Sequence, residues 1–198
     1  MTPLSRRAFV IASVATLAAP ALGAAPQPYL IDRSASQVGF IFTLAGNAQR
    51  GTMPVSAADI RIDTDNLAAS TVDVSVDAAR ARTGLFFATQ AMKSPEVLDA
   101  GTYPTIRFVS KQVVLGGGGR LSDGAQLHGD LTLRGVTRPV SFAAFLYRKP
   151  GSAESDLSEL SIQLRGQISR SAFGASGYTD LVPDPILLDV RAVIRRSR

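Results

Sequence analysis

The 198-residue chain contains no cysteine, no tryptophan and a single histidine, His128. Without thiolates it cannot build a cysteine-ligated zinc site, an iron–sulfur cluster, a c-type haem attachment or a cysteine nucleophile. A lone histidine excludes any site that needs two, so His128 reads as a solvated or hydrogen-bonded imidazole. No Gly-x-Ser-x-Gly elbow accompanies it, which leaves a Ser–His–Asp triad without a frame. Only three glutamates are present, too few to favour a carboxylate-dependent hydrolase or isomerase. Asp59, Asp63 and Asp65 lack the glycine and closing glutamate of a calcium loop and read as a solvated turn. The run Gly116–Gly119 precedes Arg120-Leu121-Ser122 rather than Lys-Ser/Thr, so it is a hairpin loop and not a phosphate cradle. No catalytic residue, metal site or cofactor is assigned.

Charge of one sign is also missing from the body of the chain. The net +5 comes from Arg6 and Arg7 near the start and from Arg195, Arg196 and Arg198 at the end; residues 26–194 hold 16 basic and 16 acidic residues. A neutral body lacks the continuous basic surface that binds nucleic acid. The uncharged stretch Ala8–Ala19 is shorter than the roughly 20 residues that span a bilayer. Preceded by Ser5-Arg6-Arg7-Ala8-Phe9 and followed by small residues up to Ala25, it reads as a cleaved export signal of twin-arginine type. Residues 26–198 then form one exported, periplasmic domain, soluble after cleavage. Four tyrosines and no tryptophan do not furnish the aromatic girdles of an outer-membrane barrel.

What remains is dominated by a period of two. Val38, Phe40, Phe42 and Leu44 alternate with Gly39, Ile41 and Thr43. The same alternation runs through 72–76, 127–134, 160–168 and 186–194, with shorter runs at 48–54, 59–62, 105–114 and 140–147. Residues 85–100 break the pattern, and Ser94-Pro95-Glu96 there looks like a helix start. Eight or nine antiparallel strands with one short helical insertion specify an all-β fold, a closed barrel or a sandwich. An eight-stranded barrel is wide enough either to be filled by side chains or to hold one small ligand.

Leu127-His128-Gly129-Asp130-Leu131-Thr132-Leu133-Arg134-Gly135-Val136-Thr137-Arg138-Pro139-Val140 resembles the signature of the YceI-like family. Tyr29-Leu30-Ile31-Asp32 with Ser36-Gln37-Val38-Gly39-Phe40, Tyr103-Pro104-Thr105-Ile106-Arg107-Phe108, and Ser169-Arg170-Ser171-Ala172-Phe173-Gly174 are similar to three further family stretches, in the same order. The resemblance implies an extended, lipocalin-like, eight-stranded antiparallel barrel whose channel holds an isoprenoid, an isoprenoid quinone or another long-chain lipid, for transport, storage or sequestration. One stretch departs: Ala88-Thr89-Gln90-Ala91-Met92 stands where the family has an Arg-Asp-x-His-Leu run.

On the inward phases, Phe40, Phe42, Val74, Phe108, Leu131, Phe142 and Leu188 are candidates for the channel wall, with Phe86, Met92 and Leu98 capping one end and Phe173 beside them. The competing reading is that these residues fill a solid core, giving a stress-response or interaction protein without ligand. Arg170 and Tyr178 are candidates for a lipid head group; Arg170 pairing with Asp180 or Asp184 is the alternative. Asp130 and Thr132 are expected to set the turn at Gly135. A homodimer and a transient membrane contact both remain open for a chain of this kind.

Overall fold

The computed structural model describes residues 25–117 and 124–197. The export signal expected at 1–25 therefore lies almost wholly outside the described residues, as does half of the Gly116–Gly119 loop. The strands are β1 (Gln27–Leu44), β2 (Asn47–Met53), β3 (Val55–Ile62), β4 (Thr71–Asp77), β5 (Arg82–Thr83), β6 (Thr105–Leu115), β7 (Ala125–Leu133), β8 (Val136–Arg148), β9 (Glu159–Ser169) and β10 (Pro185–Arg196). A single helix, α1 (Phe86–Lys93), lies between β5 and β6.

All strand pairings are antiparallel, and the last strand returns to the first: β10 pairs with β1 from Tyr29↔Arg196 to Ile41↔Leu187. β2 and β3 act as one strand interrupted at Pro54, pairing with the two ends of β1. Proline has no N–H for the ladder, so the runs expected at 48–54 and 59–62 are halves of one wall element. Counted this way the ring has eight strands and closes on itself, which confines the open edge to the outer side of β2, covered in part by the two-residue β5. The closing pair and both hydrophobic clusters lie within residues 27–196, so this segment is self-contained.

Three bulges keep the apolar residues inside, one of them between Val55 and Ala57 on β3, where the inward phase changes from Val55 to Ile60. β1 advances from Asp32 to Gln37 while β10 advances only from Arg191 to Val193. The surplus is odd, so the inward phase flips from Tyr29 and Ile31 to Ser36, Val38 and Phe40. Asp32 holds the bulge by accepting from the backbone N–H of Ser34 (3.0 Å) and of Ala35 (3.2 Å), and Arg195 pairs with the same carboxylate at 2.6 Å. On β6 a shift between Ser110 and Gln112 changes the phase from Phe108 to Val113.

Two expectations need correcting. Ser94-Pro95-Glu96 does not start a helix. Ser94 ends α1 with extended backbone (φ −64°, ψ 163°), because a residue before proline is pushed out of the helical region. The segment to Leu98 is a turn in which the Ser94 carbonyl accepts from Val97 and Asp99. Asp130 does not set the turn at Gly135 either: its carboxylate pairs across the sheet with Lys111 at 2.6 Å. Thr132 does reach across that hairpin, its hydroxyl 2.8 Å from that of Thr137.

The turn itself rests on Arg134 (φ 52°) and Gly135 (φ 72°), two left-handed residues that match the twist of β7 and β8. A Cβ on Gly135 would also stand 2.8 Å from the Tyr103 ring. Gly135→Ala is accordingly expected to cost about 1 kcal/mol or more, read as a fall of about 2–4 °C in Tm by thermal unfolding.

Candidate functional site

Inside the ring is an apolar cavity of about 360 Å³, within the range of small-molecule sites. Every strand of the ring contributes: Phe40 from β1, Met53 and Ile60 from β2 and β3, Val74, Phe108, Leu131, Phe142, Leu164 and Leu188 from the rest. Along β7 the lining runs from Leu127 to Leu133, about 20 Å of strand.

The cavity stays open because of three glycines on inward phases. A Cβ on Gly51 would strike the ring of Phe40, one on Gly129 would come within 2.6 Å of the Phe108 ring and closer still to the Val109 carbonyl oxygen, and one on Gly166 would strike the ring of Phe142. With hydrogen in place of Cβ, each ring lies down against the neighbouring strand instead of projecting to the axis. Phe108 and Phe142 also meet, with ring centroids 5.4 Å apart.

One end is closed. Tyr29, Ile60, Ile62, Leu160 and Ile194 are buried together there, and the Tyr29 hydroxyl donates to the Leu157 carbonyl at 2.8 Å. At the other end three segments frame a mouth: the β1–β2 hairpin, α1 with its following turn, and residues 170–184. They are joined by backbone, Ala45 N–H donating to Leu181 O (2.9 Å) and Gly177 N–H to Glu96 O (2.8 Å). Phe87, Tyr178 and Leu181 line the cavity yet are 61%, 48% and 50% exposed, so the cavity reaches the surface between them.

Arg170 organises the 170–184 segment. It is 5% exposed, and its guanidinium donates to the carbonyls of Ala175 and Gly177 through Nη1 and of Val182 through Nη2, each at 2.7 Å, and of Pro183 through Nε at 3.3 Å. Among the described residues neither Asp180 nor Asp184 forms an ion pair with it. The Asp184 carboxylate instead accepts from the Ser171 N–H at 2.8 Å. Burial lowers the Arg170 pKa from its ordinary value, with Asp184 opposing that shift. The cation thus stays un-neutralised beside the cavity, with one Nη2 hydrogen uncommitted to the four carbonyls. Tyr178 is held in the left-handed region (φ 58°), with its carbonyl accepting from Leu181 and Val182.

Of the residues singled out from sequence, Phe40, Phe42, Val74, Met92, Leu98, Phe108, Leu131, Phe142, Leu188, Arg170 and Tyr178 all border this cavity. Phe86 does not. It is 79% exposed, because α1 buries Ala88 and Thr89 and residue 86 falls about 200° round the helix from 88; Phe87 faces the mouth in its stead. Phe173 does not border it either, being packed in the core beneath the short 3-10 turn Ser171–Phe173. Sequence reading missed Val97, Ala175, Leu181 and Val182, which sit in irregular segments where no period marks a face. It also missed the glycines, whose signal was their place on inward phases at 51, 129 and 166. Within the divergent stretch, Ala88, Ala91 and Met92 face the cavity and the Thr89 hydroxyl accepts from Thr83 N–H. That part of the mouth is therefore apolar.

The sequence from residue 29 to residue 194 matches the YceI-like domain. The chain belongs to the YceI-like family. A UPF0312 protein of Vibrio vulnificus (strain YJ016) is 30% identical over 142 residues, covering 70% of this chain and 73% of its own length. A UPF0312 protein of Vibrio parahaemolyticus is 32% identical over 126 residues, covering 62% and 65%. In structure this YceI-like chain is similar to Burkholderia cenocepacia BcnA, with a TM-score of 0.71, 20% identity and coverage of 83% and 99%. It is also similar to a polyisoprenoid binding domain from Saccharophagus degradans, with a TM-score of 0.63, 13% identity and coverage of 86% and 99%. These two likenesses establish the shared barrel fold. No helix among the described residues is long and apolar enough to cross a membrane.

Two outcomes follow from the mouth. Replacing Arg170 by Leu strands four carbonyls, and urea unfolding should register a loss of about 3 kcal/mol. The Asp184 carboxyl lies below its ordinary value of 3.8, held there by hydrogen bonds from the side chains of Ser169 and Ser171, then the Ser171 backbone, and by Arg170. A depressed folded pKa means the grip on residues 169–171 is complete above pH 3.8 and is lost as pH falls through the folded value. Protection of the Ser171 amide from hydrogen exchange, relative to an unprotected amide at the same pH, should fall over that acidic window in the wild type. In Asp184→Asn that protection should not change over the window.

Proposed function

We propose that the protein binds one long apolar lipid, an isoprenoid alcohol or isoprenoid quinone in the first instance, in the barrel cavity, and carries, stores or sequesters it in the periplasm. The observation that carries this reading is the hollow itself: an apolar cavity lined from all eight strands, closed at the Tyr29 end and open at the other. A barrel acting as a solid interaction module has no use for inward glycines that hold three phenylalanine rings off the axis. The polyisoprenoid binding domain that shares this fold supports the choice of ligand class.

Affinity comes from burial. Each methylene removed from water contributes about 0.8 kcal/mol, so ~15 carbons supply about 12 kcal/mol before the costs of association. No charge is required for that. The polar end of the lipid rests at the mouth, where the uncommitted Nη2 hydrogen of Arg170 donates to a carbonyl or hydroxyl oxygen and the Tyr178 hydroxyl offers a second partner. On this reading the protein acts by binding.

The test is gentle purification from a bacterial periplasm followed by native mass spectrometry. The expected result is one isoprenoid or quinone mass per chain. Gly51→Val should reduce occupancy about tenfold, because the Phe40 ring must swing into the cavity. A wild-type chain that stays empty after incubation with isoprenoid quinones and long-chain lipids would contradict the proposal.

A further inference from the structure

The mouth carries more exposed apolar surface than the cavity needs. Phe86 takes no part in the lining, yet it stands 79% exposed at the first position of α1, next to Phe87 at 61%, with Leu181 at 50% on the facing segment. A patch of this kind on a soluble protein marks an interaction site. Its electrostatic setting identifies the partner. β5 pairs with β2, and the Thr83 and Thr89 hydroxyls, 2.9 Å apart, tie β5 to α1, so residues 47–53 and 82–93 form one flank of the mouth. Arg50, Arg82 and Lys93 belong to this flank and Arg80 stands just before it, its backbone N–H donating to the Asp77 carboxylate at 3.0 Å; no aspartate or glutamate occurs in residues 38–58 or 78–95. Among the described residues none of these four cations forms an ion pair within 4.0 Å. Asp77 before this flank, Glu96 in the turn that follows α1 and Asp180 on the facing segment are its acidic neighbours, and the four cations outnumber them.

We propose that this face docks on an anionic bilayer, with Phe86, Phe87 and Leu181 entering the head-group boundary and Arg50, Arg80, Arg82 and Lys93 meeting lipid phosphates. Rings beside cations that form no ion pair are the chemistry of an interfacial anchor. The cavity opens within the patch, so docking puts its entrance against the phase that holds long-chain lipids and lets an apolar chain pass without crossing water. Docking concerns the outside of the mouth and holds equally for a filled or an empty barrel. It therefore goes beyond the cavity reading, and each can fail alone.

The experiment uses residues 25–198, the self-contained barrel without the apolar N-terminal stretch. Because the chain has no tryptophan, Phe86→Trp introduces a single reporter at the patch. Its emission should shift to the blue on adding vesicles of equal parts phosphatidylglycerol and phosphatidylcholine, and less so with phosphatidylcholine alone or in high salt. In sedimentation with the same anionic vesicles, Phe86→Ser should weaken partitioning about tenfold. Arg80→Glu with Arg82→Glu should weaken it about tenfold or more, on anionic vesicles only. Unchanged melting temperatures show that these exposed sites do not alter the fold, and native mass spectrometry follows lipid occupancy separately. Absence of a blue shift, or equal sedimentation of wild type and Phe86→Ser, would overturn the proposal. So would a wild-type dimer that Phe86→Ser converts to monomer, which would make the patch a contact between two copies.

Discussion

Three phenylalanine rings lying flat on three glycines decide what kind of barrel this is. Eight strands enclose a space that side chains can fill completely, and the inward phases of this chain are rich enough in Leu, Ile, Val and Phe to do so. At Gly51, Gly129 and Gly166 the wall instead has no Cβ, and the rings of Phe40, Phe108 and Phe142 use that space. The largest side chains thus become part of the wall, and the axis is left to a guest. The same residues that would have made a solid core make a lined channel, and the difference is the missing Cβ at each of three positions.

The barrel can hold a guest because its polar bookkeeping is finished elsewhere. Closure through β1 and β10 pairs the first strand with the last, and the odd bulge after Asp32 returns β1 to the correct phase after a stretch that would otherwise turn Phe40 and Phe42 to solvent. Charged residues remain on the outer faces as cross-strand pairs such as Asp130 with Lys111 and Glu159 with Arg195. At the mouth, Arg170 replaces regular hydrogen bonding for a segment with neither helix nor strand pairing, gathering four carbonyls around one cation. A rigid frame at the entrance follows from that, since loosening any one carbonyl exposes a buried charge.

Much of this was legible in the residues. Alternation located every long strand, and the wall positions Val74, Leu131 and Leu188 followed directly from it, because a half-buried strand has only two faces. Helical and irregular segments were less readable. With eight residues in α1, two adjacent phenylalanines gave no period to separate Phe86 from Phe87. Phe173 follows Arg170 in a turn whose packing direction depends on Gly174 in the left-handed region (φ 75°), which spacing alone does not reveal. Arg170 was recognisable as a head-group or salt-bridge cation, but its true partners are backbone carbonyls, and carbonyls carry no sequence signal. The hollow is legible only in pairs, a glycine and a phenylalanine brought together by strand register.

The most direct test of a guest on the barrel axis is nuclear magnetic resonance with a protonated isoprenoid alcohol added to otherwise deuterated, methyl-labelled protein. Intermolecular cross-peaks from the isoprenoid to the methyl groups of Val74, Leu131 and Leu188 are the predicted result, since those groups face one another only across the cavity. Cross-peaks confined to outward residues such as Leu30 and Leu187, with the inner methyl groups silent, would show that the barrel interior takes no lipid.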